Sequence, residues 1–109
     1  MGATFKEDVS DIRNSKVIDV VNELLSFDVQ VDLIDPHADN DEMLHEYNIG
    51  LVKEAGKDYD AIIVAVNHKE YVGLNESYFK DLLKDGYGVF VDVKGIYKGK
   101  IKELEYWSL

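Results

Sequence analysis

The sequence predicts an α/β domain, a three-layer sandwich in which a parallel sheet lies between helices. Three observations carry that expectation. Stretches of helical periodicity alternate with short apolar runs along the whole chain. Two of those runs, "AIIVAV" (residues 61–66) and "GVFVDV" (residues 88–93), are apolar almost throughout, as strands covered on both faces are. Helix and strand then follow one another in turn, which requires crossover connections and hence parallel strands.

Each element has its own grounds. The opening "GATFKEDVSDIRNSK" (residues 2–16) has too little apolar sequence for a full strand. It reads as the stub of a central strand followed by a loop, so the first strand is expected to be truncated at the N-terminus. Val17, Ile18, Val20, Val21, Leu24 and Leu25 recur at the spacing of a helix with one buried face. "VQVDLID" (residues 29–35) alternates and is rich in β-branched side chains, and Pro36 stops it, so a strand is expected. "DEMLHEYNIGLVKEAG" (residues 41–56) reads as a helix with Leu44, Tyr47 and Leu51 on one face, interrupted by Gly50. "NESYFKDLLKDG" (residues 75–86) is the clearest helix, capped by Asn75 and stopped by Gly86. "KELEYWSL" (residues 102–109) closes the chain as a short edge strand.

At 109 residues the chain makes one domain, residues 1–109, with a single core. Apolar residues at 46% and charged residues at 31% are ordinary for a globular protein, and no apolar run approaches the length of a membrane span. The absence of Cys removes disulfides, thiolate metal sites and a cysteine nucleophile, and suits a reducing compartment. With 22 acidic against 12 basic residues the formal charge is −10, a field that repels phosphate backbones and argues against nucleic acid as a partner.

In open parallel sheets ligands bind at the carboxyl ends of the strands. Those ends are residues 5–15, 35–39, 67–71 and 93–97, and they carry Lys6, Arg13, His68, Lys69 and Lys94. An acidic chain that collects cations on one rim suits a phosphorylated ligand. The alternative is that these are rim charges balancing Glu7, Asp8 and Asp11. A dinucleotide site within this chain is excluded by the first loop, which has no G-x-G-x-x-G and places Phe5 and Lys6 where a pyrophosphate must approach. His37, His45 and His68 have no zinc-ligand spacing, and Ser10 and Ser15 have no neighbouring base. No catalytic and no metal-binding residue is assigned, and binding is the activity that the residues support.

"GATFKEDVSDIRNSK", "DPHAD", "AIIVAVNHKEY" and "VDVKGIY" together resemble the UDP-binding C-terminal domain of the UDP-glucose/GDP-mannose dehydrogenase family. "FKEDVSDIRNSK" and "DVKGIY" look most like the branch that oxidises UDP-N-acetylhexosamines. The resemblance implies a Rossmann-like fold and a cytoplasmic, homodimeric parent enzyme with no membrane or nucleic-acid partner. That parent oxidises the C6 alcohol of a UDP-sugar to a carboxylate for polysaccharide biosynthesis, using NAD and a catalytic Cys outside this chain. The segment is then not catalytic alone, and the remainder of the parent is its partner. Carried over by position, Phe5 and Lys6 contact the nucleotide sugar, Lys94 lies beside the UDP and sugar, Tyr97 neighbours the nucleotide, and Arg13 faces NAD. Lys94 stands where glucose-specific members carry Arg, and a point donor replaces a planar fork. The contrasting expectation is a free-standing α/β interaction or regulatory domain with no nucleotide site, associating through an exposed sheet edge.

Overall fold

The computed structural model describes residues 1–109 and places seven regular elements. They are helix α1 (Val17–Ser26), helix α2 (Asn40–Tyr47), strand β1 (Ala61–Val64), helix α3 (Lys69–Val72), helix α4 (Glu76–Leu82), strand β2 (Val89–Asp92) and strand β3 (Glu105–Ser108). A 3₁₀ turn, Lys84–Gly86, follows α4. The three strands form a parallel sheet in the order β1-β2-β3. Ala61 pairs with Val89 and Val64 with Asp92, while Val89 pairs with Glu105 and Asp92 with Ser108.

Residues 1–3 extend this sheet on the other side of β1. The Met1 amine donates to Ile63 O at 2.6 Å, Ala65 N–H donates to Met1 O at 2.9 Å, and Gly2 N–H donates to Ile34 O at 2.8 Å. Ile63 and Ala65 bracket Met1 as partners do in a parallel pair. The stub therefore lies between β1 and residues 29–35, in a central position. Gly2 is required there. Its φ is +97°, and a Cβ would meet Val66 Cβ at 2.7 Å.

Pleating divides the sheet into two packed faces. On one, Ile62 and Val64 of β1 and Phe90 of β2 pack with Tyr71, Phe79, Tyr97, Ile101 and Leu104. Phe79 is wholly buried, with its ring tilted 62° to Phe90 at 4.6 Å and 77° to Tyr97 at 5.2 Å. A second cluster joins Ala3 and Leu33 to Ile18 and Val21 of α1 and Met43 of α2. Helices α3 and α4 thus cover one face of β1 and β2, while α1 and α2 pack on the stub and on residues 29–35 and leave the other face of β1 partly open.

Two expectations are corrected. Residues 29–35 form no ladder, because only residues 1–3 lie beside them; Gly2 N–H to Ile34 O is the backbone–backbone bond between the two, and Asp35 adds side-chain bonds. Between this stretch, α1 and β1 lies an open trough of about 400 Å³, lined by Val20, Val21, Leu24, Val31 and Ile63 among others. The second helix ends at Tyr47, well short of residue 56. Asn48 adopts the left-handed conformation (φ 57°), and its N–H caps Leu44 O. Asp39 starts this helix by accepting Glu42 N–H at 3.0 Å. The clearest helix starts as its N-cap predicts, with Asn75 Oδ1 accepting Tyr78 N–H at 3.0 Å, but it ends at Leu82 rather than at Gly86, because Leu83 turns extended. The sequence reading had no counterpart to α3. It is a single turn started at His68.

Candidate functional site

Because stub, β1 and β2 run parallel, the loops that leave them emerge on one edge of the sheet. The stub feeds residues 4–15, β1 feeds residues 65–68 and β2 feeds residues 93–98. A carboxylate anchors each side of this rim.

Asp35 anchors the first side. Its side chain is fully enclosed and receives Ala3 N–H (2.6 Å), Thr4 N–H (3.3 Å), His37 N–H (2.6 Å) and Ala38 N–H (3.0 Å). His68 Nε2 adds a bond to Oδ2 at 2.8 Å. Burial pushes the Asp35 carboxyl up, but the Ala3 N–H, the His68 ring and the His37 N–H outweigh it and hold the group below the usual carboxylate range. The other ring nitrogen of His68, Nδ1, accepts Asp8 N–H at 2.9 Å, so the neutral ring carries its proton on Nε2. Asp8 in turn accepts Lys69 N–H through Oδ1 at 2.7 Å. Phe5 N–H closes the loop on Asp11 O at 2.7 Å.

Asp92 anchors the other side. It is wholly buried at the end of β2 and accepts Ile96 N–H (3.1 Å), Tyr97 N–H (2.8 Å) and Tyr106 O–H (2.6 Å). Lys94 is held at the bend between these contacts and is exposed.

The candidate residues divide by environment. Phe5 (55% exposed), Lys6 and Lys94 all present their side chains at the rim, and neither lysine forms an ion pair. Arg13 is exposed and is gripped by Asp11, which accepts Nε and Nη2 at 3.1 Å each. That bidentate pair holds the Asp11 carboxyl below its usual range. Tyr97 does not reach the rim. It is wholly buried among Phe79 and Phe90, and its hydroxyl donates to the Tyr71 carbonyl, so its side chain offers no surface to a ligand in this conformation. Asp8, His37 and His68 bring possible metal-ligand atoms within 4.8 Å of one another. Both nitrogens of His68 are already engaged by the protein, however, and His37 Nε2 faces Glu70 at 2.9 Å.

Reading by residue type did not find the anchoring roles of Asp35 and Asp92. Asp35 closes its run before Pro36 and Asp92 is the one carboxylate within residues 88–93, and those placements were the available signal. His68, counted in the sequence among the cations at the strand ends, is fully enclosed.

The chain resembles known proteins in sequence and in fold. Residues 1–99 match the model of the UDP-glucose/GDP-mannose dehydrogenase family, UDP binding domain. A UDP-N-acetyl-D-glucosamine 6-dehydrogenase from Salmonella typhi is 42% identical over 95 residues, covering 86% of this chain and 22% of that protein. A UDP-N-acetyl-D-mannosamine dehydrogenase from Methanococcus aeolicus is 30% identical over 81 residues, covering 74% of this chain and 18% of that protein. Among solved structures, a UDP-N-acetyl-mannosamine dehydrogenase from S. aureus superposes with a TM-score of 0.76 at 28% identity, covering 98% of this chain and 24% of that one. The chain thus spans about a fifth of the length of the curated relatives it matches. By motif, by fold and by family model alike, the chain belongs to the UDP-glucose/GDP-mannose dehydrogenase family, within its UDP binding domain.

Proposed function

We propose that the chain holds the UDP portion of a UDP-sugar at the rim where the stub and β2 end, as the C-terminal domain of a nucleotide-sugar 6-dehydrogenase. The observation that carries this is the pair of exposed lysines without carboxylate partners, Lys6 and Lys94, on a chain of net charge −10. Each is held by a loop tied to a buried carboxylate. In an acidic field, cations left free at the ligand-binding edge of a parallel sheet favour a diphosphate. Phe5 supplies an exposed aromatic edge and loop backbone, and Tyr97 backs the Lys94 turn from the core through its N–H to Asp92.

In this reading the parent enzyme oxidises the sugar C6 alcohol to a carboxylate, and NAD accepts the electrons when bound. For NAD this chain offers an edge contact at most. Arg13 keeps part of its fork free beside Asp11, but residues 5–15 contain no glycine-rich cradle for a pyrophosphate. The dinucleotide's main hold and the catalytic groups belong to the rest of the parent, which is cytoplasmic and homodimeric in this reading. No helix of this chain is long and apolar enough to cross a membrane.

Titration of UDP into isotope-labelled chain, followed by amide shifts, tests the proposal. Shifts are expected around Lys6 and Lys94, with Lys6→Ala and Lys94→Ala each weakening binding by about five- to tenfold. The absence of any shift near either lysine at millimolar UDP overturns it. Static light scattering with and without UDP separates this reading from an interaction-only domain, which would associate and ignore the nucleotide.

A further inference from the structure

One imidazole holds both ends of the segment that carries Phe5 and Lys6. Thr4 Oγ1 lies 3.2 Å from His68 Nε2, and Asp8 N–H donates to His68 Nδ1 at 2.9 Å. Between these attachments lie three exposed residues, Phe5, Lys6 and Glu7, with no other long-range hydrogen bond of their own. Thr4 and His68 are 1% and 0% exposed, so the hold is shielded from competing water. Thr4 also donates its hydroxyl to Lys6 O at 2.8 Å, which fixes the carbonyl inside the segment.

The far end turns at Asp8, which adopts the left-handed backbone conformation (φ 59°) that aspartate and asparagine enter more readily than other side chains. Two bonds hold it there, from Asp8 N–H to His68 Nδ1 and from Lys69 N–H to Asp8 Oδ1. Asp35 fixes the ring from the opposite side by taking the Nε2 proton, which leaves Nδ1 as an acceptor. The chain Asp35–His68–Asp8 thus runs from one strand end, through another, to the ligand loop.

We propose that His68 is a positioning residue, which sets the path of residues 5–7 through its Nδ1 lone pair and so presents Phe5 and Lys6 to the nucleotide. This rests on the reading of the rim as a UDP site and extends it to a residue that ligand cannot touch. What matters is an acceptor at the Nδ1 position, which the neutral ring supplies.

Two isosteres separate the functions of the two nitrogens. In His68→Asn the amide oxygen falls near the place of Nδ1 and can accept Asp8 N–H, while the contact to Asp35 is lost. In His68→Gln the amide nitrogen falls near the place of Nε2 and can donate to Asp35, while Asp8 N–H is left without a partner. His68→Gln is expected to weaken UDP binding by about tenfold and to speed exchange of the Asp8 amide by a similar factor. His68→Asn should keep both within about threefold of the wild type. Equal loss in both variants, or wild-type binding and Asp8 exchange in His68→Gln, overturns the proposal.

Long-range ¹H–¹⁵N spectra of the wild-type imidazole give a check that needs no variant to fold. A proton on Nε2 and none on Nδ1 supports the clamp, and the reverse tautomer overturns it. A wild type that binds no UDP overturns the nucleotide reading and the ligand half of this inference. The tautomer and the Asp8 exchange rates still decide the clamp itself in that case.

Discussion

Asp92 Oδ2 accepts the backbone N–H of Tyr97 at 2.8 Å, joining the end of β2 to a residue five places on. With Ile96 N–H and Tyr106 O–H on the same carboxylate, the turn that carries Lys94 is defined from below. Asp92→Asn replaces one acceptor oxygen by an NH2 group that faces donors. A buried carboxylate with three donors is expected to lose about 2–4 kcal/mol on that change. Thermal unfolding should show a drop of roughly 10 °C or more, and an unchanged midpoint would contradict the role.

Phe79 is the centre of the aromatic cluster, wholly buried against Phe90 and Tyr97. Phe79→Ala leaves a cavity between α4 and the sheet and is expected to cost about 3–5 kcal/mol. That is a large share of the roughly 5–15 kcal/mol that stabilises a domain of this kind. Urea titration by circular dichroism checks it. Phe79→Leu should recover most of the loss, because volume is largely kept.

Acid should weaken the fold through two carboxylates. Burial pushes both Asp35 and Glu76 up, yet hydrogen bonds outweigh it and hold each below its usual range. For Glu76 the donors are the N–H groups of Glu103, Lys102 and Leu104. A carboxylate depressed in the folded state is protonated first in the unfolded chain. The stability it contributes is therefore present above the ordinary carboxylate range and is lost as pH falls through and below it. Urea midpoints measured downward from pH 6 should fall steadily, and Glu76→Gln should make the fall shallower.

Much of this protein was legible in its residues. The apolar run at 61–66 predicted a strand, and β1 forms within it with one face buried and the other partly open. Asn75 and the Phe79 face predicted α4 because caps and periodicity are local. The loop motif at residues 2–16 carried the family resemblance, since its residue types are unusual in combination and need no neighbours to be read.

The features legible before folding are therefore local: the alternation of elements, the sign of the field and the cations at strand ends. Tertiary structure decided the rest, because it depends on partners far along the chain. Residues 29–35 alternate as a strand does, but a ladder needs a neighbour, and only three residues stand beside them. Tyr97 follows Lys94 closely in sequence, yet its ring went to the core, where the apolar faces of Phe79 and Phe90 receive it. His68 meets Thr4 and Asp8 across separations of 64 and 60 residues. No local pattern encodes such a contact, because burial and hydrogen-bond satisfaction are settled only when distant segments share one interior.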